Sequence, residues 1–104
     1  MTRLTQNDKG FDIPFQIVDR NNVPVNISGV TVKFIMKKIG VATPKINVQC
    51  TITEGTQGKC KYTVLEGDLD TPGRYDAELE VTFASDKVLT AKVSEDIIIV
   101  EGLG

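Results

Sequence analysis

The sequence contains no histidine and no tryptophan, and its aromatic side chains are limited to four phenylalanines and two tyrosines. Without histidine the chain lacks the side chain that most often acts as a general base near neutral pH and most often binds transition metals. Cysteine occurs only at Cys50 and Cys60, too few for a disulfide scaffold or a cysteine zinc site. The longest unbroken apolar run is Ile97-Ile98-Ile99-Val100, far short of the ~20 residues of a membrane span. The opening stretch MTRLTQNDKG has no apolar core of the signal-peptide kind. A mature chain beginning at Met1 and folding in a cytoplasm is therefore the expectation. Excess charge of either sign is missing too: 12 Lys+Arg against 14 Asp+Glu leave a formal net charge of −2. That gives no basic face for a polyanion, so neither nucleic acid nor a membrane surface is an expected partner.

What remains is the composition of an ordinary globular domain, 40% hydrophobic and 25% charged over 104 residues. One domain over residues 1–104 is expected, with residues 1–10 as a flexible N-terminal arm.

The dominant pattern is alternation of apolar and polar residues, the period of half-buried strands. Phe11, Ile13, Phe15 and Ile17 alternate with Asp12, Pro14 and Gln16. Pro14 donates no ladder hydrogen bond, which pushes this strand toward a sheet edge or a bulge. Asp19-Arg20-Asn21-Asn22 reads as a turn, and Val23, Val25 and Ile27 as a short irregular extended segment. Val30, Val32, Phe34 and Met36 mark the clearest strand, with Ile35 on its opposite face. Ile39–Pro44 is a loop. Ile46, Val48, Cys50 and Ile52 alternate up to Glu54-Gly55-Thr56-Gln57-Gly58, a hairpin connection with two glycines. Cys60, Tyr62 and Val64 return. After a polar turn over 66–73, Tyr75, Ala77, Leu79, Val81 and Phe83 form a long strand. Leu89, Ala91 and Val93 follow, and Ile97–Val100 closes the chain with a run apolar on both faces. Such a run sits in a strand covered on both sides or straddles a bulge. Seven or eight short strands joined by turns predict an all-β fold, a two-sheet antiparallel Ig-like β-sandwich. Pro72-Gly73-Arg74-Tyr75 at the head of the long strand has the form of a tyrosine corner, in which the hydroxyl reaches back to backbone upstream. The Cys–Trp–Cys hallmark of antibody domains is missing.

The remaining polar groups offer little chemistry. A five-residue hairpin loop sets Cys60 opposite Ile52 and Cys50 opposite Tyr62, which offsets the two thiols and predicts two reduced, buried cysteines. Asp76, Glu78 and Glu80 fall on one strand face at i, i+2, i+4, a flat row rather than a converging calcium loop. Lys33, Lys37, Lys59 and Lys61 are candidate cross-strand partners for them. Asp68 and Asp70 lie in a loop without a calcium-binding pattern. All six aromatics fall on inward positions, which leaves none for a sugar-stacking platform. No nucleophile elbow, phosphate loop or metal motif is present. No catalytic residue, cofactor or metal is expected.

Two stretches carry a family resemblance. The first is Asn7-Asp8-Lys9-Gly10 with the strand Phe11–Val18, followed by Asp19-Arg20-Asn21-Asn22-Val23-Pro24-Val25-Asn26-Ile27-Ser28-Gly29-Val30-Thr31-Val32-Lys33-Phe34. The second is Pro72-Gly73-Arg74-Tyr75-Asp76-Ala77-Glu78-Leu79-Glu80. Together they resemble the N-terminal Ig-like domain of phage baseplate upper proteins, over most of residues 7–100. The resemblance implies a non-enzymatic virion structural module, assembled in the bacterial host cytoplasm, that docks a tail or baseplate protein onto the tail tip. Other tail and baseplate proteins are the implied partners, with a homo-oligomer as a further option. An Ig-like ligand-binding or adhesin module is the alternative from another functional class. The candidate contact surfaces are backbone-rich: the first strand with Pro14, the last strand Ile97–Val100 as backbone open to a partner, and the Ile39–Pro44 loop, with Ile35, Ile98 and Val100 as apolar residues on an outward face.

Overall fold

A computed structural model describes residues 2–92 and 97–101. Among these residues nine strands form: β1 (Thr2–Thr5), β2 (Asp12–Gln16), β3 (Thr31–Lys38), β4 (Ile46–Gln49), β5 (Thr51–Glu54), β6 (Lys59–Thr63), β7 (Gly73–Thr82), β8 (Val88–Lys92) and β9 (Ile97–Val100). They make two sheets. The larger runs β1-β9-β7-β3-β4, with β8 also paired to β7, and the smaller runs β2-β6-β5. The fold is a β-sandwich, as the alternation predicts.

β7 organises the larger sheet. Its ten residues alternate strictly, with Tyr75, Ala77, Leu79 and Val81 buried and Arg74 and Asp76 exposed. One side of β7 pairs with β3 from Lys38↔Tyr75 to Thr31↔Thr82. Its other side is shared, with β9 along Gly73–Tyr75 and β8 along Glu78–Thr82. Inward residues of both sheets meet in one core. Phe34 of β3 lies between Phe15 of β2 and Tyr62 of β6, with ring centroids 5.2 and 5.1 Å away. Such tilted aromatic pairs add to the hydrophobic burial that drives the sheets together. Phe34, Tyr62 and Tyr75 are buried, and Phe11, Phe15 and Phe83 are half-buried against the same core.

The two sheets are joined by a strand that changes partners. The Cys50 amide donates to the Val32 carbonyl at 2.7 Å, the last bond to the larger sheet, and Thr51 then pairs with Lys61 in the smaller one. Ile52 lies opposite Cys60, the register expected from the loop length. A bulge between Ile52 and Glu54 leads into a 3-10 turn at Gly55–Gln57.

The segment after β2 folds across that turn. The Val25 amide bonds the Ile17 carbonyl at 2.9 Å, and the Ile27 amide bonds the Gly55 carbonyl at 2.8 Å. Gly58 makes this approach possible. Its φ is +69°, and a Cβ there would sit 2.4 Å from the Ile17 carbonyl oxygen.

Three features depart from the sequence expectation. The described part of the expected arm is not detached: Thr2–Thr5 is β1, paired with β9 from Thr2↔Ile97 to Thr5↔Val100. That pair is parallel, so the sandwich is not purely antiparallel. TRLT carries only Leu4 as an apolar residue, so it shows no period-2 signal although Leu4 packs on the core. The terminal strand β9 consequently lies between β7 and β1, and its backbone is not an open edge.

Candidate docking surfaces

The outer face of the larger sheet gathers three of the four candidate residues. On β3, Ile35 projects outward between Lys33 and Lys37, because the alternate residues Val32, Phe34 and Met36 fill the core. Across the ladder, Lys33, Ile35 and Lys37 stand opposite Glu80, Glu78 and Asp76 of β7. On β9, Ile98 and Val100 are half-buried on this same outer side, while Ile97 and Ile99 are buried in the core. Ile98 pairs with Arg3 of β1 and Arg74 of β7. Pro14 is placed elsewhere. It is exposed on β2, opposite Lys61, at the edge of the smaller sheet.

The β3–β4 loop builds a wall beside Ile35. The Ile39 amide donates to the Arg74 carbonyl at 3.1 Å, and the Lys45 amide returns to the Met36 carbonyl at 2.7 Å. The Lys45 ammonium holds the Asp70 carboxylate at 2.5 Å, which ties this loop to the β6–β7 connection. A cleft of about 420 Å³ results, lined by Ile35, Lys37, Ala42, Pro44, Asn47 and Glu78 among others. On the same loop Ile39 and Val41 are 51% and 44% exposed. Two expectations drawn separately, the outward Ile35 and the Ile39–Pro44 loop, thus describe one surface.

Three acidic groups, Asp68 and Asp70 in the β6–β7 connection and Asp12 on β2, are engaged by the protein itself. Asp68 accepts the Tyr62 hydroxyl at 2.5 Å and the Leu65 amide at 2.9 Å. Asp70 accepts Lys45 and the Thr71 hydroxyl, which hold its carboxyl below the ordinary carboxylate range. Asp12 is lowered in the same way by Thr63 and Lys61. Lys61 therefore pairs with Asp12, and Lys59 with Glu54, both away from the Asp76–Glu80 row. Of the four candidate lysines, Lys33 and Lys37 stand beside that row, because β6 belongs to the other sheet. Among the described residues no three His, Cys, Asp or Glu side chains converge as a metal site would require.

Cys50 and Cys60 are free and buried. A hydrogen bond with Cys60 and the surrounding burial push the Cys50 thiol up, away from the reactive thiolate. Burial, and then the bond to Asp68, also raise the Tyr62 hydroxyl. At the head of β7 the Tyr75 hydroxyl donates to the Thr71 carbonyl at 2.7 Å, which completes the expected corner.

Sequence reasoning missed one surface. β8 pairs with β7 on one side, and Val88 and Leu89 on it are 59% and 40% exposed. The signal was present: Val88-Leu89-Thr90-Ala91 has no charge and no proline.

The arrangement defines a class: a β-sandwich in which the loop carboxylates Asp19, Asp68 and Asp70 hold its own turns, with apolar side chains displayed on an outer sheet face. The profile of the BppU N-terminal domain family matches residues 2–97. The chain belongs to that family, and so is an N-terminal domain of a phage baseplate protein and a virion component. The match begins at Thr2, which includes β1 in the family's domain. No curated protein matches the chain.

Proposed function

We propose that this domain works as a docking block that fixes a baseplate protein in place on the tail tip, with no chemistry of its own. The match to the BppU N-terminal domain over residues 2–97 carries this reading. The geometry supports it with a surface of suitable kind. Ile35 and the cleft walled by Ala42 and Pro44 combine apolar contact area with a rim of Lys37 and Glu78. An apolar centre within a polar border is the usual anatomy of a protein–protein interface. Ile98 and Val100 extend the apolar area of that outer face toward β1. Pro14 keeps the β2 edge from recruiting a strand by main-chain pairing, so a contact there would be made through side chains. Assembly in the host cytoplasm fits the two free thiols.

The test is reconstitution of the 104-residue chain with the other tail-tip proteins encoded beside it, read by light scattering after size exclusion. A stable complex is expected with one of them. Ile35→Lys and Ile98→Lys should each weaken it by at least about tenfold, roughly 1.4 kcal/mol, while leaving the melting temperature within a few degrees. Binding that neither variant alters would remove this face from the proposal. Binding to none of the neighbours would remove the docking role.

A further inference from the structure

Among the described residues, four of the five edge strands carry something that hinders strand addition. β2 has Pro14 at its centre. β5 is bulged between Ile52 and Glu54. β1 has four residues with the exposed Arg3 among them. β4 has four residues, two of them Asn47 and Gln49, and leaves its sheet at Cys50. Short length, prolines, bulges and charge are the recognised guards of sheet edges. β8 has no proline and no bulge, is one residue longer than β1 and β4, and carries its single charge, Lys92, only at its end. It runs five residues in unbroken register with β7, and among the described residues nothing pairs with its far side.

We infer that the free edge of β8 is a strand-pairing site for a second copy of this chain. The backbone geometry supplies the register. The Phe83 amide donates to the Lys87 carbonyl at 2.8 Å, which opens the β7–β8 ladder. Bonded and non-bonded pairs alternate along an antiparallel ladder. Val81 and Leu89 therefore exchange bonds, as do Leu79 and Ala91, whereas the amide and carbonyl groups of Val88, Thr90 and Lys92 point away from β7. A second β8 laid antiparallel about Thr90 sets Val88 against Lys92 and Thr90 against Thr90. Every outward group then faces its complement.

In the same register Leu89 meets Ala91 at the closely spaced non-bonded positions, large against small. Leu89 sits opposite the buried Val81, on the core side of the sheet, yet is 40% exposed. The second strand covers it. The strand's one charged residue, Lys92, falls opposite Val88, so no like charges are opposed. A self-complementary patch of this kind is what an isologous twofold contact requires. Five residues bury less than a stable free-standing interface needs, so the pairing is concentration-dependent and is strengthened where an assembly holds copies close together. Such pairing is independent of which baseplate neighbour the domain docks to.

Sedimentation of the 104-residue chain from about 10 μM to about 1 mM, a span matched to weak association, tests it. The average mass should rise from the 11.4 kDa of one chain toward twice that value. Thr90→Pro removes an outward amide and no bond to β7, and should hold the mass at the monomer value. Val88→Lys, at a position 59% exposed, sets like charges opposite each other in the paired register and should do the same with the circular dichroism and melting temperature unchanged. It decides the matter if the proline variant fails to fold. A wild-type chain that stays monomeric throughout overturns the inference, as does a dimer that a folded variant leaves undiminished.

Discussion

The hydroxyl of Tyr75, the first buried residue of β7, donates to the backbone carbonyl of Thr71 four residues upstream, at 2.7 Å. This bond joins the β6–β7 connection to the head of the strand around which the larger sheet is built. The acceptor is main chain, so the identity of the side chain at 71 does not affect it. Tyr75→Phe should destabilise the fold by roughly 1–2 kcal/mol, the effect of losing a hydrogen bond that serves a buried group. Thr71→Ala removes only an exposed hydroxyl that donates to Asp70 and should stay within about 0.5 kcal/mol. Urea unfolding of the two variants measures the contrast. Equal effects would show that Tyr75 acts only by filling volume.

The thiol pair gives a second prediction. Cys50 and Cys60 are free, with relative exposures of 6% and 1%. Alkylation of the denatured protein without reductant should add two labels. Alkylation of the native protein should be slow, with a rate that follows unfolding rather than reagent chemistry. A mass lacking both labels after denaturation would reveal a cross-strand bridge.

Much of the fold is legible because alternation records which face a residue takes. The inward rows of β3 and β7, the edge position of Pro14, the Ile52↔Cys60 register and the Tyr75 corner all follow from patterns a few residues long. Neighbour relations between strands are long-range and leave no such mark. The Ile97–Val100 run reads as backbone open to a partner, yet it is covered by Thr2–Thr5, a segment whose lone apolar Leu4 is too little for a period to show. Exposure of Val88 and Leu89 is hidden for the same reason: it depends on what lies beside β8, and the sequence of β8 is silent on that. The cleft beside Ile35 needs the β3–β4 loop to fold back beside the strand, where the Ile39 amide on the Arg74 carbonyl and the Lys45–Asp70 ion pair, both between residues distant in the chain, hold it.

Glycine substitutions separate steric conflict from backbone preference. Gly58 and Gly67 both have positive φ, +69° and +90°. A Cβ at Gly58 would lie 2.4 Å from the Ile17 carbonyl oxygen and 2.9 Å from that of Val25, whereas a Cβ at Gly67 meets nothing within 4 Å. Gly67→Ala should therefore lose about 1–2 kcal/mol, the strain of a left-handed alanine. Gly58→Ala must in addition push the 17–25 segment off the hairpin turn, and should lose at least about 3 kcal/mol. Chemical denaturation with both variants tests the order. A smaller loss at Gly58 would mean that the segment yields freely.

The Tyr62 hydroxyl predicts how the domain fails at high pH. Burial, and then its bond to the Asp68 carboxylate, raise it above the ordinary tyrosine value. In the unfolded chain the same hydroxyl loses its proton near pH ~10. Above that point the unfolded state binds fewer protons than the native state, so stability falls as pH rises. The contribution is complete below pH ~10 and is lost as pH rises toward the native value. Tyr75 is raised in the same direction, chiefly by burial, and sums with it. Tyr62→Phe has no proton to lose and should flatten the alkaline limb of a stability–pH curve from urea melts, while leaving its acid limb unchanged in shape. The acid limb belongs to Asp12 and Asp70, whose lowered carboxyls contribute above the unfolded value of ~3.9 and are lost as pH falls through their native values. An alkaline limb as steep in the variant as in the wild type would show that Tyr62 stays ionisable in the fold, and that its contact with Asp68 does not hold the proton in place.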